Sequence, residues 1–181
     1  VEVARVDVLA DKLNLPEDIR KDLKFAAALH DFFKKGEKEI VTTERLTWDS
    51  FEKASQESTR QMQEAGFNER IVRLANSVGH GSIIETEKIL SNKSLSLEDT
   101  AYLILHYVDD YTNGSDWVKP TELLSDNKRI NDLDRRMDKN EANQRYSQLN
   151  EEGKIRFQGE TTFEAQRRMG HIVEERLTSL L

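Results

Sequence analysis

Apolar residues recur at spacings of three and four along most of this chain, and only two prolines, Pro16 and Pro120, interrupt them. A 3.6-residue period marks an amphipathic helix, whereas a half-buried strand alternates at every second residue. The pattern predicts an all-α fold, with helices joined by short loops around one core. Val3, Val6, Ala10 and Leu13 mark the inner stripe of a first helix over 1–13. The turn at 14–18 then puts Pro16, Glu17 and Asp18 at the start of a second helix. A missing N–H and acidic charge both suit that position. Ile19, Leu23, Ala26, Ala27 and His30 share one face of this helix, which directs His30 inward.

Further along, Thr47 to Ser50 opens a helix that runs through Phe51 and Met62 to Glu64, before Gly66, Phe67 and Asn68 interrupt it. Ile71, Leu74, Ala75 and Val78 predict a short helix leading into the corner Gly79-His80-Gly81, and 83–90 is helical again. Ser94 or Ser96 caps the next helix, with Asp99 placed to complete a box at Ser96. That helix, over 97–112, carries a core stripe of Leu97, Ala101, Ile104, Val108 and Tyr111. Beside it runs a polar stripe of Tyr102, His106, Asp109 or Asp110, and Asn113. The segment 121–153 is highly charged and its pattern is weak. A final amphipathic helix is predicted over 162–181 on Phe163, Gly170, Val173, Leu177 and Leu180.

A length of 181 residues suits a single domain. Charged residues make up 34% and the mean hydropathy is −0.73, but the helical spacing of the apolar residues argues for a folded chain with a charged surface. No apolar run approaches the roughly 20 residues that span a bilayer, and the start has no signal-like segment, so a soluble, cytoplasmic protein is expected. The absence of cysteine excludes thiolate zinc sites, disulfides and cysteine nucleophiles. A net charge of −7 argues against broad nucleic-acid binding, which rests on Lys and Arg at phosphates. Lys128, Arg129, Arg135 and Arg136 are interleaved with Asp126, Asp132, Asp134 and Asp138 and read as a mixed-sign solvated face.

The chemistry-bearing feature is the adjacent pair His30-Asp31, placed after Phe25-Ala26-Ala27-Ala28-Leu29 and before Phe32-Phe33-Lys34. Neighbouring side chains point about 100° apart on a helix, so both can reach a cation lodged where that helix meets its neighbours. Nitrogen and oxygen ligands without thiolate suit a divalent metal: Mn, Mg, Fe, Co, Ni or Zn. The pair, with Lys34 after it and Val108-Asp109-Asp110 downstream, resembles the signature of the HD-domain metal-dependent phosphohydrolases over about residues 1–113.

The resemblance implies an HD-like helical bundle, with 114–181 as a helical extension packed on the same domain. It also implies a metal held by His30, Asp31 and Asp109, with Asp109 preferred over Asp110. Lys34 would meet substrate phosphate beside the catalytic Asp31, and His80 would serve as an extra ligand or substrate contact. Small phosphorylated compounds are the implied substrates, and nucleotides are suggested only by what the family commonly hydrolyses. One departure stands out: the family's first histidine, counted back about thirty residues from His30, falls at or upstream of Val1, where this sequence has none. The alternative reading is a non-catalytic HD-like regulatory or ligand-binding module. A third is an unrelated helical interaction protein. His106 is expected to hydrogen-bond the aspartates rather than ligate, and His171 to face solvent.

Overall fold

The computed structural model describes residues 2–33, 46–111 and 128–181, and every regular element among them is helical. Nine α-helices are described: α1 (Glu2–Lys12), α2 (Glu17–Phe33), α3 (Trp48–Glu64), α4 (Glu69–Ala75), α5 (Ile83–Leu90), α6 (Leu97–Asp110), α7 (Lys128–Glu141), α8 (Ser147–Arg156) and α9 (Thr162–Thr178). Two single 3-10 turns, His80–Ser82 and Gln144–Tyr146, lead into α5 and α8. None of the described helices is long and apolar enough to cross a membrane.

Local chemistry explains where these helices begin and end. Thr47 caps α3 through a reciprocal box with Ser50, and Thr161 caps α9 in the same way with Glu164. Of the two serines before α6, Ser96 is the cap: its hydroxyl accepts from the Asp99 N–H at 3.0 Å. At the end of α1, Asn14 takes a left-handed φ of 52°, and the Leu15 N–H returns to the Ala10 carbonyl at 2.9 Å. Asn is one of the few residues that adopt this conformation readily, so the chain turns there without a glycine.

Helix α6 is the axis of the fold. Every residue from Thr100 to Val108 is buried, and α1, α2, α4 and α9 all pack on it. A helix with no solvated face belongs in the interior. The side chains expected as a separate polar stripe, Tyr102 and His106, are therefore buried with the rest. Helix α9 packs in turn on α5, α6, α7 and α8, so the C-terminal segment joins the same hydrophobic cluster, which runs in sequence from Val6 to Leu177. A glycine permits one of these contacts, because a Cβ on Gly170 would stand 2.6 Å from Leu133 Cδ2 of α7.

Trp48 ties the early helices to the late ones. Its backbone N–H donates to Glu152 Oε2 at 2.7 Å, its indole N–H reaches Thr162 Oγ1 at 3.3 Å, and Phe157 and Arg156 cover the ring. Three expected core positions are instead exposed: Val3, Leu97 and Leu180. Each lies in the first turn of its helix or beyond the last, where no neighbouring helix covers the stripe. In α1 the buried face is Arg5, Val6, Leu9 and Ala10.

Candidate metal centre

The consecutive helices α1 and α2 and the distant helix α6 converge at His30. The imidazole sits in the last turn of α2 and is nearly inaccessible, with a side-chain exposure of 3%. Its Nδ1 lies 2.8 Å from the Ala27 carbonyl. A carbonyl only accepts, so Nδ1 carries the proton and donates. In the neutral ring, Nε2 is then a bare lone pair. Around it stand Glu2 Oε2 from the first turn of α1 at 3.1 Å, Asp109 Oδ1 from the end of α6 at 3.7 Å, and Asp31 Oδ2 at 3.7 Å. Nε2 itself is buried without a hydrogen-bond partner of acceptable geometry.

Lone pairs converging on lone pairs repel unless a cation lies between them, either a proton on Nε2 or a metal ion. The ligand atoms of Glu2, His30 and Asp109 all fall within 4.8 Å of one another. Metal bonds of roughly 2.0–2.6 Å from a common centre reach across such a span. The donor set also fits a hard or borderline divalent ion, with one imidazole, two carboxylates and no sulfur. The Nδ1–H···O=C bond is the usual outer support of a histidine ligand, because it fixes both tautomer and ring orientation.

Asp109 and Asp110 part company, as the 100° step along a helix requires. Asp110 is fully buried on the other side of α6, with its Oδ2 3.4 Å from His106 Nε2. His106 Nδ1 donates to the Ser77 carbonyl at 2.8 Å, an arrangement that repeats the one at His30. The other Asp110 oxygen accepts from Gln166 Nε2 at 2.8 Å, and Gln166 Oε1 faces His80 Nδ1 at 3.0 Å. Burial pushes the Asp110 carboxyl above the ordinary carboxylate range, opposed by the nearby His106 and Arg136. His106 thus stands beside Asp110, but no hydrogen bond joins its Nε2 to Asp110 Oδ2, and both atoms are buried without a partner.

The sequence-derived site residues divide as follows. His30 and Asp109 meet, and Asp31 approaches with its side chain 64% exposed. His80 is not part of this group. Its ring is enclosed edge-on by Phe51, Tyr146 and Phe163, and its Nδ1 faces Gln166. Lys34 lies outside the described residues. His171 is half-buried and pairs with Asp134 at 3.1 Å. Two participants carry no mark in the sequence pattern. Glu2 is an ordinary acid in the first turn of a helix. Arg136 lies in the mixed-sign segment expected to be a solvated face, but its guanidinium holds the end of α6. Beside His30 lies a small cavity of about 30 Å³, whose polar lining is Ser55, Ser58, Asn76 and Ser82.

No protein-family model, curated protein or solved structure matches the chain.

Proposed function

We propose that this chain binds a divalent metal through Glu2, His30 and Asp109 and uses it to hydrolyse a phosphate ester, as an HD-type metal-dependent phosphohydrolase. One observation carries the reading: a buried imidazole commits one nitrogen to a backbone carbonyl and turns the other, unpartnered, toward carboxylates from two other helices. Three protein ligands leave coordination positions for water and substrate. A divalent cation in such a site would lower the pKa of bound water toward neutrality and offset charge on a phosphoryl oxygen. The chain's own part is positional. Ala27 holds the ring of His30, and Arg136 fixes the carbonyl end of the helix that carries Asp109. Exposed Asp31 is suited to accept a proton from water at the rim. Lys34, three residues on, keeps its proposed role at the phosphate.

The second reading is a non-catalytic metal- or ligand-binding module, for which the same three ligands would suffice.

Elemental analysis of purified protein, then turnover of generic phosphate esters with Mn, Mg, Fe, Co, Ni and Zn, separates the two. The hydrolase reading expects one bound metal per chain, metal-dependent turnover, and loss of both in His30→Ala and Glu2→Gln with helicity retained. Stoichiometric metal without turnover on any ester supports the binding module. Unchanged metal content in both variants would refute the assignment of the ligands.

A further inference from the structure

Arg136 belongs to α7, in the C-terminal third, yet its guanidinium lies against the proposed metal ligand Asp109. Its Nη1 donates to the Asp109 carbonyl at 2.7 Å and reaches the Asp110 carbonyl at 3.3 Å. These are the last two carbonyls of α6, where a cation also meets the negative end of the helix dipole. Nη2 lies 3.9 Å from Asp109 Oδ2, too far for a hydrogen bond, and the side chain is 32% exposed. One nitrogen is thus anchored to backbone, while Nη2 stands beside the carboxylate without a hydrogen bond to it.

The chemistry of the guanidinium indicates what ligand this site would take. A divalent cation on His30 would stand among three carboxylates, Glu2, Asp109 and the exposed Asp31. Arg136 adds a positive charge 3.9 Å from Asp109 Oδ2. An anion that reaches both the metal and the guanidinium is attracted by two cations at once. Guanidinium forks match the oxygens of phosphate bidentately, and a fork anchored in advance loses little further freedom on binding. The count of oxygens narrows the class. A phosphate monoester has three non-bridging oxygens, one for the metal and two for the fork, whereas a diester has only two in all.

Building on the metal-site reading, we infer that Arg136 is the anion-contacting residue of this site and selects a terminal phosphate, so that the C-terminal segment supplies part of the substrate subsite.

The test is calorimetric titration of inorganic phosphate and of dimethyl phosphate into the metal-loaded full chain, with circular dichroism to monitor folding. Wild type should bind inorganic phosphate only when metal is present, and dimethyl phosphate at least tenfold more weakly. Arg136→Met should keep metal affinity within about threefold and weaken phosphate at least tenfold. Arg136→Lys keeps a capping cation without the fork and should fall between. A purely structural role would lower the melting temperature of these variants and leave phosphate affinity unchanged, and that result would overturn the inference while the metal site stands. Should Arg136→Met fail to fold, phosphate affinity in Arg136→Lys equal to wild type would overturn it equally. If wild type takes up no metal, the metal reading falls and this one with it.

Discussion

Replacing Gly153 with alanine sets two effects of opposite sign against each other, and the structure decides between them. Gly153 lies inside α8, where alanine is favoured over glycine by about 1 kcal/mol of helix propensity. A Cβ there would meet the backbone N and Oγ1 of Thr162 at 2.5 Å and its Cα at 3.0 Å. Backbone cannot rotate away as a side-chain tip can, so α8 and α9 must separate, at an overpacking cost of about 1–3 kcal/mol. Thr162 Oγ1 also donates to the Leu149 carbonyl at 2.8 Å and accepts from Trp48 Nε1 at 3.3 Å. Stretching both bonds costs about 1 kcal/mol each. The balance is a destabilisation of about 2–4 kcal/mol. Urea unfolding followed by circular dichroism should show this as a midpoint lower by about 1–2 M at an unchanged slope. A Gly153→Ala protein as stable as wild type, or more so, would refute the reasoning, because propensity would then outweigh the contact.

Asp109→Asn should weaken metal binding by about tenfold or more, and Asp110→Asn by less than about threefold, since an amide at 110 can still donate to His106 Nε2 and accept from Gln166; equal losses in a side-by-side titration would contradict the division of the two aspartates. Asp7 is held below its ordinary value by its hydrogen bond from Arg20, so its ionised form stabilises the fold above about pH 4 and that contribution disappears as the pH falls through the lowered value. The melting temperature of Asp7→Asn should accordingly lie below wild type at neutral pH and converge with it in acid; parallel curves would dismiss the ion pair as a contributor. Ser96→Ala should destabilise by about 1 kcal/mol through loss of the α6 cap, and no change in thermal unfolding would mean that water replaces the hydroxyl.

The helical class was legible because spacing of apolar residues is a local property. The cap at Thr47, the interruption at Gly66 and the inward turn of His30 all followed from residues within one or two turns. Long-range placement was harder to read. Leu97 looks like the first core residue of α6, but one residue past its cap it has no neighbour to cover it. The charged stretch that contains α7 and α8 gave little periodicity, since α8 buries only Leu149, Asn150 and Gly153 and draws its order from Trp48 and α9. At the site, the separation of Asp109 from Asp110 follows from helix geometry once the facing helix is known. Glu2 had no local signal at all: an acid in the first turn of a helix is ordinary, and only the approach of α1 to α2 gives it a partner.

The enclosure of α6 also limits how a chain of this kind can be pared down or rearranged over evolutionary time. Tyr107 and Tyr111 point their hydroxyls at Glu174 of α9, while residues on the same helix meet α1, α2 and α4. A shortened gene ending after α6 would leave those two rings and the indole of Trp48 facing water, and a fragment beginning after α6 would lack the surface on which α9 lies. Insertions are tolerated where few packed neighbours depend on the backbone. The least disruptive places to lengthen this protein are therefore the surface turns, such as the one between α3 and α4, and the most disruptive is any point that parts α6 from either set of neighbours.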